Sequence, residues 1–225
     1  MTESRTPKRQ RLLLVLAFAL VVYVIVRAAD TPQGDPPPHG KTSVSPSSPS
    51  AGSPTPSPSS ATSSYDPADY AIQVRTRARQ ADVSAQLVMA ILYNEAYKPH
   101  DPSFERAWQK YKPDAAFGIA NMHRAAFDEV KRSRDFAGRR WDQLPDDRDL
   151  AIESEAWYLH DLSAQLPAHW TAPYTKSDLL ALGYNAGPGN MLAFARGATP
   201  AAQARSYLDR LHTNWAKAGK AVEAS

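Results

Sequence analysis

Leu87-Val88-Met89-Ala90-Ile91-Leu92-Tyr93-Asn94-Glu95 is the stretch on which the reading of the chain turns. Leu87, Ile91 and Glu95 recur every fourth residue, with Val88 and Leu92 alongside, the spacing of one buried face of a helix. Ser84 can cap that helix, and Pro99 prevents much continuation. Glu95 therefore falls in the last turn, on a stripe otherwise made of aliphatic side chains. The macrodipole presents negative potential there, and apolar surroundings disfavour a charge, so the pKa of Glu95 is expected to be raised. A carboxylic acid held protonated near neutral pH is what a glycoside-cleaving enzyme uses to protonate a leaving-group oxygen. The same spacing admits a plainer reading, a helix-end glutamate turned to solvent or paired with Lys98.

Outward from this segment the signals stay helical. Asp66-Pro67 is an N-cap followed by proline, opening a helix through about Gln80. Ser103 opens a short amphipathic stretch with Phe104, Ala107 and Trp108, and a helix is expected from about His123 to Arg132. Asp146 or Asp147 precedes a long one carrying Leu150, Ile152, Ala156, Leu159 and Leu162. Ser177 starts a helix ending near Tyr184, a turn of helix follows from Asn190 to Arg196 and stops at Gly197, and Thr199-Pro200 begins the last. Nowhere do four residues alternate in the manner of a strand. The expected class is all-α for residues 65–225, with room for a small hairpin between Tyr97 and Gly118.

The head of the chain is of another kind. Residues 1–11 form a basic tail with Arg5, Lys8, Arg9 and Arg11, and an apolar run from Leu12 to Val26 comes next. As a helix the run covers about 22 Å, and residues 12–29, with Arg27 reaching back to the interface, approach the roughly 30 Å of a bilayer core. A signal anchor and a cleaved signal peptide share this layout; no A-x-A precedes a cleavage point, which favours the anchor. Either exports the remainder of the chain, with the basic side left in the cytoplasm and the bulk outside, facing the cell wall. Residues 30–64 read as a disordered linker, since Pro or Ser fills 20 of the 34 positions from Thr31 to Ser64.

Charge and composition exclude several classes. The net charge of +3 sits in the head; from Tyr65 onward 20 Lys+Arg balance 20 Asp+Glu. A nucleic-acid partner is not expected of such a domain. The absence of cysteine removes disulfides, thiol nucleophiles and Cys-bound metals. The six histidines show no ligand spacing, so neither metal nor cofactor is expected.

A second cluster, Gly183-Tyr184-Asn185-Ala186-Gly187-Pro188-Gly189, ends one helix and enters the next. Gly187 can take a positive φ that closes a helix, leaving Tyr184 and Asn185 to project as hydrogen-bonding groups, or the segment is simply a helical corner. With Phe117-Gly118-Ile119-Ala120-Asn121-Met122 between them, the three segments stand in the order found in lytic transglycosylases. Residues 66–215 resemble the lytic transglycosylase (SLT) domain of the goose-lysozyme-like superfamily. The first segment is similar to that family's apolar helix ending in the catalytic glutamate, the second to its Gly-Leu-Met-Gln segment, and the third to its Ala-Tyr-Asn-Ala-Gly signature.

The resemblance implies a lysozyme-like helical fold, monomeric, acting on peptidoglycan glycan strands. Glu95 would protonate the oxygen of the β-1,4 bond between N-acetylmuramic acid and N-acetylglucosamine. It would then take the proton of the muramic 6-hydroxyl, which closes on the anomeric carbon to give a 1,6-anhydro end without water. Gly118, Asn121, Tyr184 and Asn185 would position the glycan. The chain departs from the pattern in having Ala96 after the glutamate, Asn121 for the usual glutamine, a longer stretch between Glu95 and Gly118, and Glu155 where a small residue is common. Glu155 is either a second carboxylate at the cleft or a solvated, salt-bridged side chain. Paired with Glu95 it would suit a hydrolytic muramidase, and a non-catalytic peptidoglycan-binding envelope protein is the remaining alternative.

Overall fold

A computed structural model describes residues 65–97 and 100–223. The basic tail, the anchor at 12–29 and the linker at 30–64 lie outside the described residues. The described chain is helical. A 3-10 turn, Pro67–Tyr70, leads into α1 (Ala71–Gln80); α2 (Ala85–Glu95), α3 (Pro102–Gln109) and α4 (Arg124–Val130) follow. A second 3-10 turn, Trp141–Gln143, precedes α5 (Arg148–Gln165), α6 (Lys176–Ala186), α7 (Pro188–Ala195) and α8 (Ala202–Glu223). Among the described residues there is no strand, only one antiparallel bridge joining Phe117 and Met122. None of the described helices is long and apolar enough to cross a membrane.

Capping side chains set most of the helix starts. Asp66 accepts from the Ala68 amide, Ser84 from Leu87, and Asp147 from Leu150, each satisfying a backbone N–H that a helix leaves without a partner. Three starts differ from the sequence expectation. α3 is capped by Asp101, with Pro102 in its first turn, and begins ahead of Ser103. α6 begins at Lys176 because Thr175 and Asp178 form a reciprocal capping box that Ser177 cannot make. α8 begins at Ala202, beyond Thr199-Pro200; the carbonyl of Pro200 accepts from the Arg205 guanidinium at 2.7 Å. The hairpin expected between Tyr97 and Gly118 is replaced by α3.

The core is organised around α2. Leu87 through Leu92 are all buried, so this helix is apolar on every side and has no solvent face. It packs most extensively on α8 and also meets α1, α5 and α6. Polar ties fix its register on α8: Gln86 donates to the Trp215 carbonyl at 2.9 Å, and Asn94 donates to the Tyr207 carbonyl at 3.0 Å while accepting from Asn214 at 2.9 Å. Asn94 is the residue before Glu95, so the pair of bonds at Asn94 holds the end of α2 in place. On the opposite side of α5, Arg77 of α1 bridges Asp149 and Glu153.

Candidate active site

Glu95 is the last residue of α2 and only 6% exposed. Its Oε2 accepts from the side-chain amide of Asn121 at 3.0 Å, and the same amide lies 3.3 Å from the hydroxyl of Tyr97. One methylene shorter than glutamine, Asn121 still reaches the carboxyl, because the turn carrying it is pressed against the end of α2.

That turn runs from Phe117 to Met122. The two residues exchange backbone hydrogen bonds of 3.2 and 3.0 Å, and the Asn121 backbone amide closes on the Gly118 carbonyl at 2.8 Å. Gly118 sits at φ +71°, and a Cβ placed on it would come within 2.9 Å of the Leu144 carbonyl oxygen. Both facts require glycine there. Asn121 itself has φ +48°, a left-handed conformation that asparagine tolerates better than most residues. Trp141 secures the far side by donating its indole N–H to the Met122 carbonyl at 2.9 Å and lying edge-on to Phe117.

A buried pair that sequence reasoning missed ties this turn to α2. Oε2 of Glu105 accepts from the Gly118 amide at 2.8 Å, Oε1 of Glu105 meets His100 Nδ1 at 2.9 Å, and His100 Nε2 lies 3.1 Å from the Glu95 carbonyl oxygen. A carbonyl only accepts, so Nε2 carries a proton and satisfies one of the open carbonyls at the end of α2. Nδ1 then bonds the Glu105 carboxyl, as an ion pair or by accepting its proton. His100 holds φ +47° to do this. The long stretch between Glu95 and Gly118 thus carries its own internal brace.

The Tyr184-Asn185-Ala186-Gly187 corner lies against the same turn. Gly187 has φ +85° and ψ 162°, a region open essentially to glycine alone, and it both ends α6 and starts α7. The expectation that Tyr184 and Asn185 both project needs correction. Tyr184 is half-buried, its hydroxyl committed to the Ala120 carbonyl at 2.6 Å and its ring edge-on to Tyr158. Only Asn185 is exposed. Gly118 is corrected likewise, since its amide serves Glu105 and its backbone is buried.

Asn121, His123, Glu129, Tyr158, Tyr184 and Asn185 border a groove of about 290 Å³. Asn185 also borders a neighbouring depression of about 310 Å³ with Asn190, Phe194 and Gln203. A larger depression, about 420 Å³, is bounded by Arg124, Lys131, Arg140 and Trp141 and touches none of the expected site residues. Asn121 connects the first groove to Glu95, lining one and bonding the other.

Glu155 answers to neither expectation. It is wholly buried, neither carboxyl oxygen has a hydrogen-bond partner, and among the described residues it forms no ion pair. Burial pushes its pKa well above the usual carboxyl range, and the nearby Glu95 pushes it further. The spacing held a signal for this: Ile152, Glu155, Leu159 and Leu162 fall on one helical stripe. Tyr207, another residue not expected at the site, has its phenol raised by burial and by both glutamates. Among the described residues no cluster of three or more His, Asp or Glu side chains is disposed to hold a metal ion. The sequence matches no protein-family model and no curated protein, so the arrangement of these residues carries the functional reading.

Proposed function

We propose that the helical domain is a peptidoglycan lytic transglycosylase with a lysozyme-like fold, in which Glu95 is the catalytic acid and base. The observation that carries this reading is the meeting of three separate segments at one carboxyl: α2 ends on Glu95, the Gly118-led turn gives it Asn121, and the Tyr184 corner anchors that turn through Ala120. Asn121 marks Oε2 as the accepting oxygen, so the acid form carries its proton on Oε1. That proton goes to the glycosidic oxygen as the bond to the anomeric carbon breaks. The muramic 6-hydroxyl oxygen then bonds that carbon and returns its proton to Glu95. One group alternately giving and taking a proton suffices, and no second carboxylate enters the groove.

The hydrolytic alternative needs Glu155 as that second carboxylate, and a side chain without exposed surface cannot hold an attacking water in the groove. The glycan lies along the groove past Asn185. Tyr97, Phe104, Trp108 and Tyr111 are exposed on the stretch after Glu95, with Phe104 and Trp108 nearly parallel at 6.3 Å, and they offer flat faces to sugar rings. Residues 1–64 export and tether the domain so that it faces the wall, and the domain acts as a monomer without nucleic acid, metal or cofactor. Glu95→Gln in the full-length protein tests the assignment: solubilisation of purified sacculi should stop while the melting temperature holds. Equal digestion by the variant would remove Glu95 from the reaction.

A further inference from the structure

No step of the proposed reaction uses Glu155, yet its placement is costly. α5 carries its carboxyl into the interior with both oxygens unpartnered, where an apolar side chain of the same size would be the more stable choice. Four side chains act electrostatically with it there: Glu95 from α2, Tyr184 from α6, Tyr207 from α8 and Tyr65 from the segment before α1. The hydroxyls of Tyr65 and Tyr207 are buried and, like Glu155, without hydrogen-bond partners. Tyr207 faces both glutamates.

The cations around this chamber are engaged elsewhere. Arg148, on the same helix as Glu155, lies over the rings of Tyr65 and Tyr70 and donates to the Tyr70 hydroxyl. Arg77 of α1 is taken by Asp149 and Glu153, and His100, edge-on to Tyr65, is taken by Glu105. With no cation to balance it, a buried carboxyl beside Glu95 keeps its proton, and a carboxyl kept neutral in this way becomes an O–H donor.

We propose that Glu155 is a positioning residue that stays protonated and, through the Tyr207 hydroxyl lying between the two glutamates, supplies a hydrogen bond to the Glu95 carboxylate formed during the reaction. The proposal rests on the acid/base reading of Glu95. When Glu95 gives its proton to the leaving oxygen, Tyr207 turns its O–H toward the new carboxylate and accepts from the Glu155 O–H. No bond to hydrogen breaks at Tyr207 or Glu155, and the arrangement relaxes when Glu95 recovers a proton from the attacking hydroxyl. A donor used only after the transfer stabilises the transition state more than the bound substrate, so it acts on kcat and leaves KM alone.

The test compares full-length wild type with Glu155→Gln, which keeps a neutral donor, and Glu155→Met, which keeps the volume and has none. On solubilised glycan strands, Glu155→Met should lose about tenfold in kcat with little change in KM, and Glu155→Gln should stay near wild type. The basic limb of the pH profile, set by ionisation of Glu95, should move to higher pH in Glu155→Met, because a donor to the carboxylate lowers its pKa. Unchanged kcat in Glu155→Met would overturn the proposal, as would an equal loss in Glu155→Gln. So would a limb moving to lower pH, the sign of a charged Glu155. Infrared spectra add a readout independent of cleavage: the carbonyl band of a protonated carboxyl should be present near neutral pH in wild type and missing in Glu155→Gln. Lack of that band in wild type overturns the neutral state; a band in a wild-type protein that cleaves nothing removes the positioning role together with the acid/base reading beneath it.

Discussion

Asn121 donates its side-chain amide to Oε2 of Glu95 across 3.0 Å, from a backbone already held in the left-handed region at φ +48°. The strained turn and the acid are therefore one unit: the turn points one amide at one carboxyl, and Gly118, Glu105 and Trp141 keep it there.

Asn121→Asp keeps the shape and the tolerance for a left-handed backbone while replacing the donor with a second carboxylate. Activity should fall at least about tenfold near neutral pH, where two carboxylates oppose each other, and recover in part as the medium is acidified and one takes a proton. A pH–rate profile checks this; a uniform loss at all pH would show that Asn121 matters only for packing.

Gly118→Ala meets two obstacles, a positive φ and a Cβ 2.9 Å from the Leu144 carbonyl oxygen. It should destabilise the protein by about 2 kcal/mol and lower activity as Asn121 is displaced, as read by urea unfolding with an unchanged slope. A loss below about 0.5 kcal/mol would mean that the turn relaxes freely.

Glu105→Ala leaves both the Gly118 amide and His100 Nδ1 without their buried partner. A cost of roughly 2–4 kcal/mol is expected, with a larger proportional effect on kcat than on KM, since the brace sets the alignment of Asn121 and Glu95. Wild-type stability in this variant would mean that the brace is dispensable.

Glu155 makes stability depend on pH. In the unfolded chain it ionises in the ordinary glutamate range, about pH 4.3; folded, burial and Glu95 keep its proton to higher pH. Between those two values the folded state binds more protons, so stability falls as pH rises. Glu155→Gln removes that loss. Its melting temperature should match wild type below about pH 4 and exceed it increasingly toward neutral pH. A difference independent of pH would mean that the folded chain does not hold the proton.

Local chemistry is the part of this fold legible in the sequence. Ser84 and Asp147 cap where their types suggest, and a segment as apolar as Leu87–Leu92 becomes the helix around which the others pack. Glu95 and Asn121 both stand out in the sequence, and they meet. The features that escape it depend on contacts distant in the chain. His100 and Glu105 join only because α3 folds back on the end of α2, and no periodicity marks such a pair. Tyr184 reads as a group free to grip a ligand because its partner, a main-chain carbonyl of Ala120, leaves no trace in the sequence. Glu155 is different: its place on an apolar helical stripe is readable, but the general tendency of a carboxylate to seek solvent or a cation points the other way.

The most direct measurement is mass spectrometry of the products released from purified sacculi by the full-length protein, alongside Glu95→Gln. Muropeptides ending in 1,6-anhydro-N-acetylmuramic acid from wild type, and none from the variant, are the expected result. Reducing ends, products that persist with Glu95→Gln, or no products from wild type would contradict the account of Glu95 as a lone acid and base.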